Sequence, residues 1–200
     1  MNIDIRADTK QFKKKLGLLQ RRHIPKATND AINKTLFGLR KVMIKQLNDK
    51  LDRPTPFTQK GFHVRQSMIK NLFGMLFIKD IQAQYLKYQI DGGVRSGNPN
   101  VAVPFTKNVK LNKFGNVTGR KSGLIKRNTQ FIGEINNVAG VYQRMAKNKL
   151  KLLHAFERSV DYQARFPFYK IGLGYVKNKF KRNLKEKYNQ EFVKSGKSLI

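Results

Sequence analysis

Apolar residues recur along this chain with two periods, and the switches between them mark its elements. Ile3 and Ile5 alternate with Asn2, Asp4 and Arg6, which predicts one short strand. Asp8 or Thr9 can cap a short helix in which Phe12, Leu16 and Leu19 recur at helical spacing. This helix is expected to stop near His23-Ile24, because Pro25 disfavours the helical region for its predecessor. Pro25 itself suits the first turn of a second, longer helix running to about Leu51. The predicted buried stripe of that helix is Ile32, Leu36, Leu39, Met43 and Leu47, with Ala27 and Ala31 allowing close packing at its start.

The segment Asp52 to Phe57 carries two prolines spaced by one residue, which makes a stiff, extended connector. Phe62-His63-Val64-Arg65 and Met75-Leu76-Phe77-Ile78 read as strands that pair as a hairpin through Asn71 and Gly74. Asp80 can cap a short helix bearing Ile81, Tyr85, Leu86 and Ile90, which ends at Gly92-Gly93. From Gly92 to Gly133 glycines and prolines punctuate the chain, and only Val101-Ala102-Val103 and Val109 to Leu111 look ordered. Residues 131–141 and 150–156 predict two more strands. Pro167 opens a final helix with Val176, Phe180, Leu184 and Tyr188 on one stripe. Gly172 and Gly174 weaken its beginning, so a late start or a kink is expected, and residues 195–200 are expected to fray.

These elements predict an α+β fold in a single domain over residues 1–200. Its parts are an N-terminal helical region (8–51), a sheet-rich middle (62–160) with a long basic loop (94–130), and a C-terminal helix (167–194). The sheet, mixed or antiparallel, is expected to pack against the long N-terminal helix and the C-terminal helix. No internal repeat or heptad pattern is visible.

Charge changes this picture from a generic fold to a specific problem. The chain has 42 Lys+Arg against 12 Asp+Glu, a formal net charge of +30, yet 40% of its residues are hydrophobic. That is too apolar for a disordered basic tail, so the charge sits on a folded body. Such a body repels itself unless an anionic partner is near, and nucleic acid is the commonest one. Between Asp91 and Glu134 there is no carboxylate at all. The candidate contact residues for nucleic acid or a partner therefore lie here: Arg95, Lys107, Lys110 and Lys113, then Arg120, Lys121, Lys126 and Arg127. A loop of this length without regular structure is usually functional or mobile, and its part over 107–127 is expected to order only on contact with neighbours or DNA. Phe105 and Phe114 stand among its lysines, an arrangement that can stack bases beside a held backbone.

Other chemistry is thin. There is no cysteine, which excludes disulfides and thiolate sites and fits a reducing cytoplasm. His23, His63 and His154 are far apart and lack ligand spacing, so no metal and no cofactor is expected. Glu134 and Glu157 would resemble a two-carboxylate catalytic pair if they faced each other across neighbouring strands, but nothing in their spacing requires it. Gly92-Gly93 and Gly172-Leu173-Gly174 do not match a phosphate-cradling loop. No catalytic residues are assigned, and the chain is read as non-enzymatic. No apolar run is long enough to span a membrane, and the first residues lack the layout of a secretory signal.

Short segments of the chain also resemble a known family. His23-Ile24-Pro25-Lys26-Ala27 followed by Asp30-Ala31-Ile32-Asn33-Lys34-Thr35 is similar to the start of minor tail protein Z-type proteins of long-tailed bacteriophages. Tyr85-Leu86-x-x-Gln89-Ile90-x-Gly92-Gly93-x-Arg95, Val103-Pro104 and Val141-Tyr142-Gln143-Arg144 resemble segments of phage tail-completion proteins. The resemblance implies a structural virion protein at the head–tail junction, or neck, that helps complete the tail and accommodate DNA in its channel. It implies other tail and neck proteins as partners, and location in the virion after assembly in the host cytoplasm. A homo-oligomeric ring would place many basic surfaces around that channel. The alternative from another class is a basic nucleic-acid-binding module, chaperone-like and not part of a particle.

Overall fold

In the computed structural model, residues 17, 19–118, 125 and 127–197 are described. The strand and short helix expected over residues 2–16 lie outside them. The elements in chain order are α1 (Ile24–Lys50), α2 (Pro56–Gln59), β1 (Phe62–Arg65), β2 (Met75–Ile78), α3 (Asp80–Ile90), β3 (Gly93–Pro104), β4 (Gln130–Ile135), β5 (Val138–Arg144), β6 (Leu150–Tyr162) and α4 (Phe168–Lys197). The fold is α+β, with a long N-terminal helix, a C-terminal helix and antiparallel sheets.

Pro25 does not interrupt the helix, contrary to expectation. A π-helical turn, Leu19–His23, runs directly into α1. Proline lacks an N–H, and its ring crowds the carbonyl four residues back, here that of Arg21. The wider i→i+5 winding of a π turn relieves that position. The expected extended connector is also partly helical. Thr55 caps α2 by accepting the Thr58 N–H at 3.2 Å, with Pro56 at the first helical position, where its missing N–H costs nothing.

Against an expectation of one domain, the contacts of the chain cluster in two compact units. The first comprises Met1–Gln46, Lys60–Lys79 and Phe168–Ile200, and the second Leu47–Gln59 and Asp80–Pro167. The sheet expected over 62–160 is correspondingly two sheets, one of β1-β2 and one in the order β3-β6-β5-β4.

In the first unit, β1 and β2 pair as the sequence predicts, with Phe62 opposite Ile78 and Arg65 opposite Met75. Phe62 and Val64 point inward while His63 and Arg65 point out. Phe62 is fully buried and stacks on Phe168 with ring centroids 6.3 Å apart. The hairpin is tied to α1 by polar bonds as well. Arg40 Nε donates to the Phe62 carbonyl at 2.9 Å, and the Asn33 side chain accepts the Ser67 N–H and donates to its carbonyl.

The face of α1 in this unit buries Ala27, Ala31, Thr35, Leu36, Leu39 and Met43, so Thr35 takes the place expected of Ile32. The predicted apolar stripe of α4 is only half-buried at Phe180, Leu184 and Tyr188. Val176 is exposed, and the buried residues are Asn183 and Glu191. Asn183 donates to Thr35 at 2.9 Å, and Tyr188 shares a 3.0 Å hydrogen bond with Thr28. Glu191 accepts from Lys26 at 2.5 Å and lies 3.2 Å from His23, while Lys34 reaches Glu186 at 2.6 Å. Helix α4 begins at Phe168 and continues to Lys197 with neither late start nor break at its glycines.

In the second unit the basic loop proves shorter than 94–130. Its first part is β3, antiparallel to β6 from Gly93–Tyr162 to Pro104–His154, with a register shift between Ser96 and Val101. The expected strand over 131–141 is a hairpin. Asn136 and Asn137 both adopt positive φ, 51° and 63°, the pair of left-handed residues that a two-residue turn between twisted strands requires. Between β5 and β6, Lys147 and Asn148, at φ 60° and 55°, lie in a longer turn closed by the Met145 N–H donating to the Lys149 carbonyl at 2.8 Å. Gly140 allows β5 to approach β6, since a Cβ there would lie 2.2 Å from the His154 carbonyl oxygen. Val141, Tyr142, Leu153 and His154 are buried in this sheet.

Candidate functional site

The second unit contains a cleft of about 410 Å³ assembled from five separate stretches of chain. Its geometry starts at Gly92, where α3 ends as expected. Gly92 has φ 73°, and a Cβ there would stand 3.1 Å from the Tyr162 carbonyl oxygen, so only glycine lets α3 end against the end of β6. The Arg165 and Phe166 N–H groups both donate to the Gln89 carbonyl at 2.8 Å and hold the chain after β6 on the same helix end. This brings Tyr88 of α3 beside Tyr162 of β6, with ring centroids 5.4 Å apart.

Strand parity places the first cation. Gly93 pairs with Tyr162, so Arg95, two residues on, projects from the same face as Tyr162. Arg165 follows from the Gln89 anchor. Arg53 comes from the bend after α1, where its φ is 45°, and donates to both carboxylate oxygens of Asp52 at 2.8 and 2.9 Å. That bidentate hydrogen bond holds the Asp52 carboxyl below the usual carboxylate range. Leu86, almost wholly buried, floors the cleft, and the Thr58 hydroxyl on its wall bonds the Tyr85 hydroxyl at 3.0 Å. Phe114 and Asn116 complete the lining.

Phe114 belongs to a part of the basic loop that is ordered by its own bonds. Asn112 Oδ1 accepts the N–H groups of Phe114 and Asn116, Leu111 bridges Val117, and Asn108 donates to the Leu152 carbonyl at 2.7 Å. A short Asn-organised turn thus orders residues 108–117, part of the 107–127 segment expected to order only on contact.

Of the five described contact residues predicted from the sequence, four are spread over three hollows. Arg95 lines the arginine–tyrosine cleft. Lys113 lies 5.1 Å from the Phe114 ring centroid and lines a neighbouring hollow of about 430 Å³ with Arg53 and Asn48. Lys110 and Arg127 meet at a third hollow of about 340 Å³, with Lys151 and His154. Lys107 is exposed and lines none of these. Arg120, Lys121 and Lys126 lie outside the described residues. Arg53, Arg165, Tyr88 and Tyr162 were not among the sequence candidates. The spacing of Tyr85 and Tyr88 on one predicted helix was the one signal that could have pointed to them.

No family model, curated protein or solved structure matches this chain. Its chemistry must therefore be read from the residues. Among the described residues, no group of three or more His, Asp or Glu side chains could hold a metal ion. Glu134 and Glu157 do not face each other across neighbouring strands, because β5 lies between β4 and β6. Two strand spacings of ~4.8 Å separate them. Among the described residues no helix is long and apolar enough to cross a membrane. What the cleft offers is three guanidinium groups, four aromatic rings and one carboxylate already bound to Arg53.

Proposed function

We propose that this chain is a non-enzymatic structural protein of a tailed bacteriophage particle. It acts as a minor tail or tail-completion protein at the neck, where its basic surface faces DNA and its partners are other tail and neck proteins and further copies of itself. The observation that carries the nucleic-acid side of this reading is a net charge of +30 on a chain apolar enough to build a folded core. Such a charge is tolerated when polyanion or an acidic neighbour offsets it. Support for the phage side comes from the resemblance. Its segment Tyr85 to Arg95 spans α3 and the start of β3, and Val141 to Arg144 lies on β5. The decisive experiment is fractionation of particles from producing cells. Co-migration of this polypeptide with tails or neck complexes is expected, and its recovery only as free monomer would refute the proposal.

The second reading, a nucleic-acid-binding module outside any particle, is favoured by the arginine–tyrosine cleft. Salt dependence separates the two. A dedicated binder contacting Z phosphates of a duplex shows a slope of log affinity on log salt near ~−0.9Z. Replacing Lys107, Lys110, Lys113 and Arg127 by Glu is expected to flatten that slope if the loop grips DNA directly. In the structural reading, the same variant instead lowers particle yield or DNA content. Wild-type values of both would remove the loop from either account.

A further inference from the structure

We infer that the arginine–tyrosine cleft is a binding site for a nucleoside phosphate, supplied either as an unpaired nucleotide of a single strand or as a free nucleotide. The inference rests on the reading that this chain works beside nucleic acid, and it narrows that reading from a charged surface to one site.

Three features of the cleft select this ligand class. First, Arg95 and Arg165 have no carboxylate partner among the described residues, whereas Arg53 is held by Asp52. Two unpartnered guanidinium groups on one cleft are suited to a phosphate, which they can grip in bidentate fashion. Second, the same cleft is lined by aromatic rings. Tyr88, Tyr162 and Phe114 are half-buried, so each offers part of its ring to an occupant while the rest is fixed by packing. Aromatic side chains next to arginines hold unstacked bases, because every base has a π-face. Third, the size fits. A volume of about 410 Å³ falls in the range ~300–1,000 Å³ of small-molecule sites. It is far too small for a duplex, in which the bases are stacked away from such a wall. A purely acidic peptide would satisfy the arginines but leave the rings without a partner.

The site is anchored rather than fortuitous. Gly92 fixes α3 against β6, Gln89 fixes Arg165, and the Asn112 turn fixes Phe114. The chain has no tryptophan, so its emission comes from seven tyrosines, of which Tyr85, Tyr88 and Tyr162 line the cleft.

The test titrates the full purified chain with dAMP, with a ten-residue oligothymidylate and with a short DNA duplex at one salt concentration, following tyrosine emission and calorimetric heat. Binding of dAMP alone would make a free nucleotide the source, and binding of the oligomer alone would make it the strand; either supports the site. The double variant Arg95→Ala/Arg165→Ala is expected to lose roughly tenfold or more of that affinity while duplex affinity changes by less than about threefold. If neither dAMP nor the oligomer binds, or if the variant binds them as the parent does, the inference is overturned. Should the variant fail to fold, photo-crosslinking of an iodouracil oligomer to the unaltered chain decides. Crosslinks to Tyr88, Tyr162 or Phe114 support the site, and crosslinks confined to other peptides exclude it. None of these results depends on where the protein resides, so failure here leaves the particle fractionation to judge the phage reading separately.

Discussion

In the first unit, both acidic side chains of α4 reach across to cations of the N-terminal helical segment. Glu186 binds Lys34, and the buried Glu191 binds Lys26 and His23, with Lys194 3.7 Å away. In the second unit, Arg95 and Arg165 line a cleft with no carboxylate partner among the described residues. The same excess of charge is thus handled in two ways. Where carboxylates bridge helices, the cations serve the fold, and replacing them alters stability. Where guanidinium groups without a carboxylate partner share a cleft with half-buried aromatic rings, replacing them is expected to alter binding rather than stability. Charge count alone does not distinguish these roles.

The largest test of that division concerns whether the two units answer independently. Phe62→Ala empties a fully buried site against Phe168 and is expected to cost about 3–5 kcal/mol in denaturant unfolding. Gly140→Val places side-chain atoms into the His154 carbonyl and is expected to cost about 3 kcal/mol through forced separation of β5 and β6. Hydrogen exchange then sharpens the comparison. Phe62→Ala should weaken protection in α1, α4 and the β1-β2 hairpin, and Gly140→Val in β4, β5 and β6. Equal loss everywhere from either variant would mean that the units open together and that the comparison does not describe separate bodies.

A smaller effect is expected at Glu191. Hydrogen bonding from Lys26 holds its carboxyl below the usual range against the opposing effect of burial, and His23 assists. A carboxyl whose folded pKa is depressed stabilises the protein above its unfolded value, ~4.3. That contribution is lost as pH falls below that value and through the lower folded one. Glu191→Gln is expected to cost about 1–3 kcal/mol at neutral pH, because Lys26 and His23 lose a charged acceptor. The parent should lose stability below pH ~4.3 faster than the variant does. Parallel acid profiles would show that the ion cluster is not a structural element of the first unit.

Much of this architecture was legible because apolar periodicity is strong where one side packs on a sheet or helix. The buried stripe from Leu36 to Leu47, the β1-β2 pairing and the stop at Gly92 all carried local signals. The interface of α4 was not legible for the opposite reason. Its partner face is Ala27, Ala31 and Thr35, which lets polar Asn183 and Glu191 come close enough to bond, so a stripe drawn through apolar residues alone missed the buried positions. Asn136-Asn137 carried a turn signal that a continuous apolar reading of 131–141 passed over. The cleft was least legible of all. Arg95 stood out only because it begins an acid-free stretch; the pairing of β3 with β6 sets it beside Tyr162, the end of α3 adds Tyr88, the Gln89 carbonyl holds Arg165, and the bend after α1 supplies Arg53.

The smallest expected stability effect carries the comparison furthest. Arg95→Ala/Arg165→Ala removes two exposed guanidinium groups that bridge nothing in the described chain, so stability should change by no more than about 0.5 kcal/mol. Removing like charges in a +30 chain also relieves self-repulsion, so any change is expected to be favourable. Thermal or denaturant unfolding of this variant therefore sits opposite Glu191→Gln, which changes one group in the first unit and is expected to cost several times more. A loss above ~1 kcal/mol would exceed the usual range for surface substitutions. It would mean that the arginines brace α3 against β6, as Gly92 and Gln89 already do, and the cleft would then be explained as packing. Near-neutral stability would leave their clustering without a structural reason. Two cations held beside half-buried aromatic rings, at no benefit to the fold, are what a site for an external aromatic anion requires.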